Sequence, residues 1–151
     1  MKGLVYEEYA PDDDFKKILK VKDVDDPKPK PDEVVFKVKA AALNFNDIWG
    51  MRGQPVPVPL PHISGSDAAG EVIAVGDEVT KIKVGDRVMS HSNMSCRVCS
   101  ACTDGREFDC EKRTIWGFQT GPNWGAYSEI THLPEVNIVK LPDNVSFDDA
   151  A

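Results

Sequence analysis

At 151 residues, 41% hydrophobic and 28% charged, the chain has the length and composition of one soluble globular domain with a real core. A net charge of −7 with no Lys/Arg block argues against a nucleic-acid partner, whose phosphates would be repelled. No apolar run approaches the ~20 residues of a membrane span, and "MKGLVYEEYAPDDDF" turns acidic before a signal-peptide core can form, so the expectation is a cytoplasmic protein without a membrane partner.

Eleven Gly and 11 Pro favour turns and short strands. Residues 1–25 read as a strand or hairpin broken by "PDDD", and "DDPKPKPDE", residues 25–33, as an extended connector. In "EVVFKVKAAAL", Val34, Phe36, Val38 and Ala40 share one face and Val35, Lys37 and Lys39 the other, which predicts a half-buried strand. "NDIWGMRG" predicts a turn and at most a short helix, with Asn46 or Asp47 as its cap. The four prolines of "GQPVPVPLPH" make it a loop.

Further strands are expected at Glu71–Val75, in "KVGDRVMS", in "GAYSEITHL" and in "NIVKLP". Gly65, Gly70, Gly76 and Gly85 sit at strand ends, where positive φ or close backbone approach is needed. Short strands at this spacing indicate a mostly β fold, a barrel or sandwich. "DNVSFDDAA" starts a helix, with Ser146 as cap and Asp148 and Asp149 in the first turn, which reads as the beginning of further chain.

All four cysteines lie in "CRVCSACTDGREFDC", with spacing Cys96-x2-Cys99-x2-Cys102-x7-Cys110. A CxxC loop lets two thiolates reach one ion; a third Cys three residues on completes a face, and the longer loop returns the fourth. Four thiolates around Zn²⁺ leave no open position, so the expected site is structural. It would stabilise a lobe, residues 94–113, too polar to pack alone. Disulfides would be strained at this spacing and reduced in the cytosol, and an iron–sulfur cluster would use a closer fourth Cys followed by proline.

This cysteine pattern after "VGDRV", with "AALNFND", "GSDAAGEVIAVGDEVTKIKVGDRV", "WGAYSEI" and "LPDNVSFDDAA", resembles the zinc-containing medium-chain dehydrogenases/reductases. The resemblance runs almost from end to end. It implies a GroES-like catalytic domain over residues 1–151, a partly open β-barrel with short helices and a four-cysteine zinc lobe. In the family a Rossmann domain that binds NAD(H) or NADP(H) follows, and enzymes of this kind are expected to be homo-oligomers. The nearest glycines here, Gly117, Gly121 and Gly125, lack the spacing of a pyrophosphate turn.

Alcohol dehydrogenases of the family carry a second, catalytic zinc on a Cys in the segment matching "LNFND" and a His-Glu pair in that matching "GSD". Here those positions are Asn44, Ser66 and Asp67. An amide and a neutral hydroxyl are poor zinc ligands and Asp67 alone cannot hold the ion, so the catalytic zinc is expected to be missing. His62, four residues before Ser66, reads as an ordinary hydrogen-bonded loop histidine, with a ligand or binding role as the alternative.

"PHISGSDAAG" and "IWGFQT" with "GAYSEI" resemble most the crotonyl-CoA carboxylase/reductase and acryloyl-CoA reductase group, near the quinone reductases. The implied chemistry is hydride delivery to an activated C=C followed by protonation at the α-carbon, with hydrogen-bond donors meeting the oxyanion. Asn44, Asn46 and Asp67 are the catalytic candidates. Phe45, Asp47, His62, Phe118 and Gln119 are the substrate- or cofactor-binding candidates, with a helix cap as the plainer role for Asn46 and Asp47.

Phe45 stands where carboxylating relatives have a tyrosine, and Phe118-Gln119 matches a Phe-Glu pair they use for CO₂, so simple reduction is expected. Trp116, Phe118 and Trp124 are cleft-lining or core aromatics. A zinc alcohol dehydrogenase and a non-enzymatic zinc-stabilised binding module remain alternatives to an alkene reductase acting on a small molecule.

Overall fold

The computed structural model describes residues 1–121 and 125–151; Trp124 lies outside the described residues. Strand dominates. Ten strands, β1 (Lys2–Tyr6), β2 (Lys20–Asp23), β3 (Glu33–Ala42), β4 (His62–Ile63), β5 (Asp67–Val75), β6 (Arg87–Ser90), β7 (Asn93–Met94), β8 (Thr114–Ile115), β9 (Ile130–Pro134) and β10 (Ile138–Lys140), are described. Four helices, α1 (Phe15–Ile18), α2 (Phe45–Arg52), α3 (Ser100–Thr103) and α4 (Phe147–Ala150), are interspersed. A five-stranded antiparallel sheet in the order β10-β6-β5-β3-β9 curls into the expected half-barrel. A three-stranded sheet, β2-β1-β4, and a β7-β8 ribbon complete it. Among the described residues no helix is long and apolar enough to cross a membrane.

The predicted strand over 33–42 forms, but its alternation holds only in part. Val34, Val35 and Phe36 are all at most 1% exposed, so the first half is buried on both faces. The reason is the connector. Lys30 pairs with buried Glu33 at 3.0 Å, and the Glu33 carboxylate meets His132 of β9 at 3.1 Å, closing the side opposite the core.

β5 starts at Asp67, four residues before its predicted start at Glu71. Ala68, Ala69 and Gly70 carry no alternation signal, yet they pair with Ala41, Ala40 and Val38 of β3. Gly70 is required by close approach: a Cβ there would lie 2.1 Å from the Lys37 carbonyl oxygen.

The eight-residue helix α2 begins after Asn44, which is its cap; Asn46 and Asp47, the predicted caps, lie inside the first turn. α2 ends at Gly53, whose φ of 70° is a left-handed stop. The core has two parts. Val34, Phe36, Val72, Val88, Trp116 and Leu133 fill the half-barrel, while Tyr6, Ala10, Ile18, Met51, Val58 and Phe118 seat α2 and α1 against β1. The second cluster holds α2 at the mouth of the barrel. The capped helix at 147–150 forms as read, with Ser146 Oγ accepting from the Asp149 N–H at 3.1 Å.

Two buried histidines set an acid limit. Burial lowers His62 and His132 below their ordinary 6.5 despite partners that favour the charged form. The unfolded chain therefore binds more protons below about pH 6.5, so stability falls with falling pH. Burial tends to raise Glu33, but Lys30 and His132 outweigh it and hold it below its ordinary 4.5, which extends the loss to lower pH. The urea unfolding midpoint is expected to drop from pH 7 to 5.5, less steeply in His132→Gln; a flat profile would contradict this.

Candidate active site and metal cluster

Ala42 at the end of β3 pairs with Asp67 at the start of β5, so the chain leaving β3 delivers Asn44 beside the Asp67 carboxylate. Asn44 Nδ2 donates to Asp67 Oδ2. One helical step further on, Asn46 Nδ2 donates to Ser66 Oγ at 2.8 Å. The three positions matching catalytic-zinc ligands, Asn44, Ser66 and Asp67, thus meet, together with Asn46, as two amide–oxygen pairs. Asn44 is exposed, while Ser66 is 2% exposed and Asn46 half-buried. Asn46 Oδ1 is buried and has no partner among the described residues. Amide orientation is set by such networks, so the pair presents one unmatched hydrogen-bonding group.

Asp47 is deeper, at 4% exposure. Its Oδ1 accepts from the Gly65 N–H at 3.1 Å; its Oδ2 accepts from the Asn44 N–H at 2.8 Å and the Tyr127 hydroxyl at 2.6 Å. That is a fastening position, with the half of a capping box that stabilises the start of α2. Burial and the adjacent carboxylate push the Tyr127 phenol well above its ordinary range, so it stays a donor.

Helical spacing divides the remaining candidates. Asn44, Asp47, Ile48 and Met51 line a cavity of about 280 Å³ with Leu4, Leu19, Leu43 and Phe45. Trp49 lies edge-on to Phe45 at 5.5 Å and tilted against Phe118 at 6.5 Å. Phe45 and Trp49 are 62% and 41% exposed, whereas Phe118 is buried at 6% and Trp116 at 0%. Of the predicted aromatics, Phe45 is therefore surface and Trp116 core. Trp49 was missed, although its i+4 spacing from Phe45 on a short helix was a usable signal. Tyr127 was missed without any signal, being 80 residues from Asp47.

His62 is placed on β4, not in a loop, at 0% exposure. Its ring nitrogens face the carbonyls of Pro59 and Gly117, both at 3.1 Å, so that the N–H of either tautomer has an acceptor and neither nitrogen is turned toward Asn44 or Ser66 for a ligand. Gln119 Oε1 accepts from the Ile115 N–H at 3.0 Å and folds the side chain onto its own turn. Gly117, at φ 72°, allows that turn to touch the site: a Cβ would lie 1.9 Å from the Gly65 oxygen.

The cysteine lobe forms as a compact cluster. Cys96, Cys99, Cys102 and Cys110 place their sulfurs within 4.8 Å of one another, and none is in a disulfide. The separations of 3.9 Å for Cys96–Cys102 and 3.5 Å for Cys99–Cys102 fit the edge of about 3.8 Å that ~2.3 Å metal–sulfur bonds give a tetrahedron. The backbone N–H groups of Val98 and Cys99 lower Cys96 to about 6, and burial raises Cys102 to about 11. The cluster can hold a metal ion. Among the described residues no other three His, Cys, Asp or Glu side chains converge in this way.

With this geometry in view, the chain belongs to the alcohol dehydrogenase GroES-like domain family, whose pattern matches residues 30–143, and so to the medium-chain dehydrogenases/reductases. It is 37% identical over 139 residues to an alcohol dehydrogenase of Geobacillus stearothermophilus, covering 91% of this chain and 40% of that protein. It is 34% identical over 139 residues to a crotonyl-CoA carboxylase/reductase of Cereibacter sphaeroides, covering 88% of this chain and 32% of that one. A solved cobalt- and zinc-bound thermostable alcohol dehydrogenase from Pyrobaculum aerophilum superposes with a TM-score of 0.87 at 30% identity, over 99% of this chain and 43% of its own. The chain thus spans less than half the length of each.

Titrating Co²⁺ into the reduced chain is expected to give the strong absorption of a four-coordinate thiolate site at one ion per chain. Cys110→Ser should lose that spectrum. A second equivalent bound as tightly, or none, would contradict the geometry.

Proposed function

We propose that residues 1–151 are the catalytic domain of an NAD(P)H-dependent cytoplasmic oxidoreductase. Its reaction is reduction of an activated C=C, in an enoyl thioester such as acryloyl- or crotonyl-CoA or in a quinone, without a catalytic zinc. The observation that carries this is the pairing of Asn44 with Asp67 and Asn46 with Ser66. The positions matching zinc ligands hold one amide, one hydroxyl and a single carboxylate, Asn44 already joined to Asp67 and Ser66 to Asn46, a set poor in ligands for Zn²⁺ that leaves amide donors for an oxyanion.

One zinc, held by Cys96, Cys99, Cys102 and Cys110, is structural. Closed by four thiolates, it organises the lobe and takes no part in the reaction. The nicotinamide nucleotide, which supplies the hydride, is held by a following Rossmann domain, consistent with the greater length of the relatives. The substrate carbonyl meets the Asn46–Ser66 pair, where the second N–H of Asn46 Nδ2, the first being given to Ser66 Oγ, donates to the oxygen as negative charge develops. Asn44 bounds the same site on the Asp67 side. Phe45 is exposed and has no proton to give, so the proton for the α-carbon comes from solvent. Gln119 brings no carboxylate and is turned onto Ile115, which supports reduction without carboxylation.

The test is NADPH and NADH oxidation by the full-length enzyme with acryloyl-CoA, crotonyl-CoA, a quinone and a simple aldehyde, alongside zinc content. Turnover of an alkene substrate with one zinc per chain is expected, and Asn46→Ala should lower kcat/KM about a hundredfold, as for loss of one oxyanion donor. Reduction of the aldehyde alone, with a second zinc at Asp67, would favour an alcohol dehydrogenase instead.

A further inference from the structure

We propose that Tyr127 is a positioning residue which, through Asp47, holds the amides of Asn44 and Asn46 where the reaction needs them. The inference rests on the alkene-reductase reading for the role of those amides, but the linkage itself stands on geometry. The Tyr127 hydroxyl reaches Asp47 Oδ2 at 2.6 Å and the Ala42 carbonyl at 3.0 Å. Asp47 is buried, and its hydrogen-bond donors are the Tyr127 hydroxyl and the N–H groups of Asn44 and Gly65. Each of those two N–H groups belongs to, or directly precedes, a member of a pair: Asn44 grips Asp67, and Gly65 precedes Ser66, which takes Asn46. One carboxylate therefore sets the spacing between the start of α2 and the loop at 64–67.

Loss of the hydroxyl would leave Oδ2 with the Asn44 N–H alone and weaken one side of this bridge. The backbone of the same segment is bound independently. The Tyr127 N–H donates to the Ser64 carbonyl at 3.0 Å and the Ala126 N–H to the Gly65 carbonyl at 3.0 Å. Tyr127→Phe keeps those bonds and the packed ring, and so isolates the hydroxyl. Tyr9 is the matched control. Its hydroxyl donates to the Val58 carbonyl at 2.7 Å, and its ring lies against Gly53 at the far end of α2.

In ¹⁵N-labelled chain, Tyr127→Phe is expected to shift the side-chain amide signals of Asn44 and Asn46 and to speed exchange of the Asn44 backbone amide, while Tyr9→Phe does neither. In the full-length enzyme the same substitution should lower kcat about tenfold with KM within about twofold, as for a misplaced rather than missing group. Unmoved Asn44 and Asn46 signals would overturn the proposal. Shifted signals with full kcat would support the linkage and instead overturn the role given to the amides.

Discussion

A carboxylate below the surface of a half-barrel, bound by one phenol and two backbone N–H groups, ties together the elements that carry the Asn44–Asp67 and Asn46–Ser66 pairs. Asp47 lies where three separate pieces of chain meet: the start of α2, the loop before β5, and the segment entering β9. Burial of a carboxylate is tolerated only when donors saturate it, and each donor here comes from a different piece. The charge therefore locates the pieces relative to one another. The Asn44–Asp67 and Asn46–Ser66 pairs bridge two of those pieces.

Around this point the fold supplies rigidity by two unlike means. The half-barrel fills its interior with apolar side chains in the usual way, and a second apolar cluster presses α2 against β1. The cysteine lobe has little apolar surface to bury. α3 and the turn at 107–109 gather four sulfurs instead, and Arg97 spans the lobe to Glu107 at 2.6 Å. A metal ion held there would replace the hydrophobic core that so polar a segment cannot form.

Much of this was legible because local rules coincided with tertiary demand. The cysteine spacing specified its cluster, since loop lengths alone decide which sulfurs can share an ion. Ser146 announced its helix through a cap that acts within one turn. Other features depended on distant partners. The alternation of 33–42 indicated a solvent face that the connector and His132 cover, and the small residues at 68–70 concealed four residues of strand. His62 read as a hydrogen-bonded histidine, as it is, but its two facing carbonyls, one of them 55 residues away, left no trace in the local sequence.

By itself, then, the sequence determined the class of fold, the family, the clustering of the four cysteines and the absence of good zinc ligands at Asn44 and Ser66, because each depends on residue chemistry and short spacing. Only the tertiary structure decided that Asn44 pairs with Asp67 and Asn46 with Ser66, that Tyr127 bonds to Asp47 beneath them, and that Trp49 rather than Trp116 shares the exposed edge with Phe45. The reason is range. A hydrogen bond between residues 80 apart leaves no period or spacing in the chain; it exists only once β-sheet register and a shared core have brought its ends together.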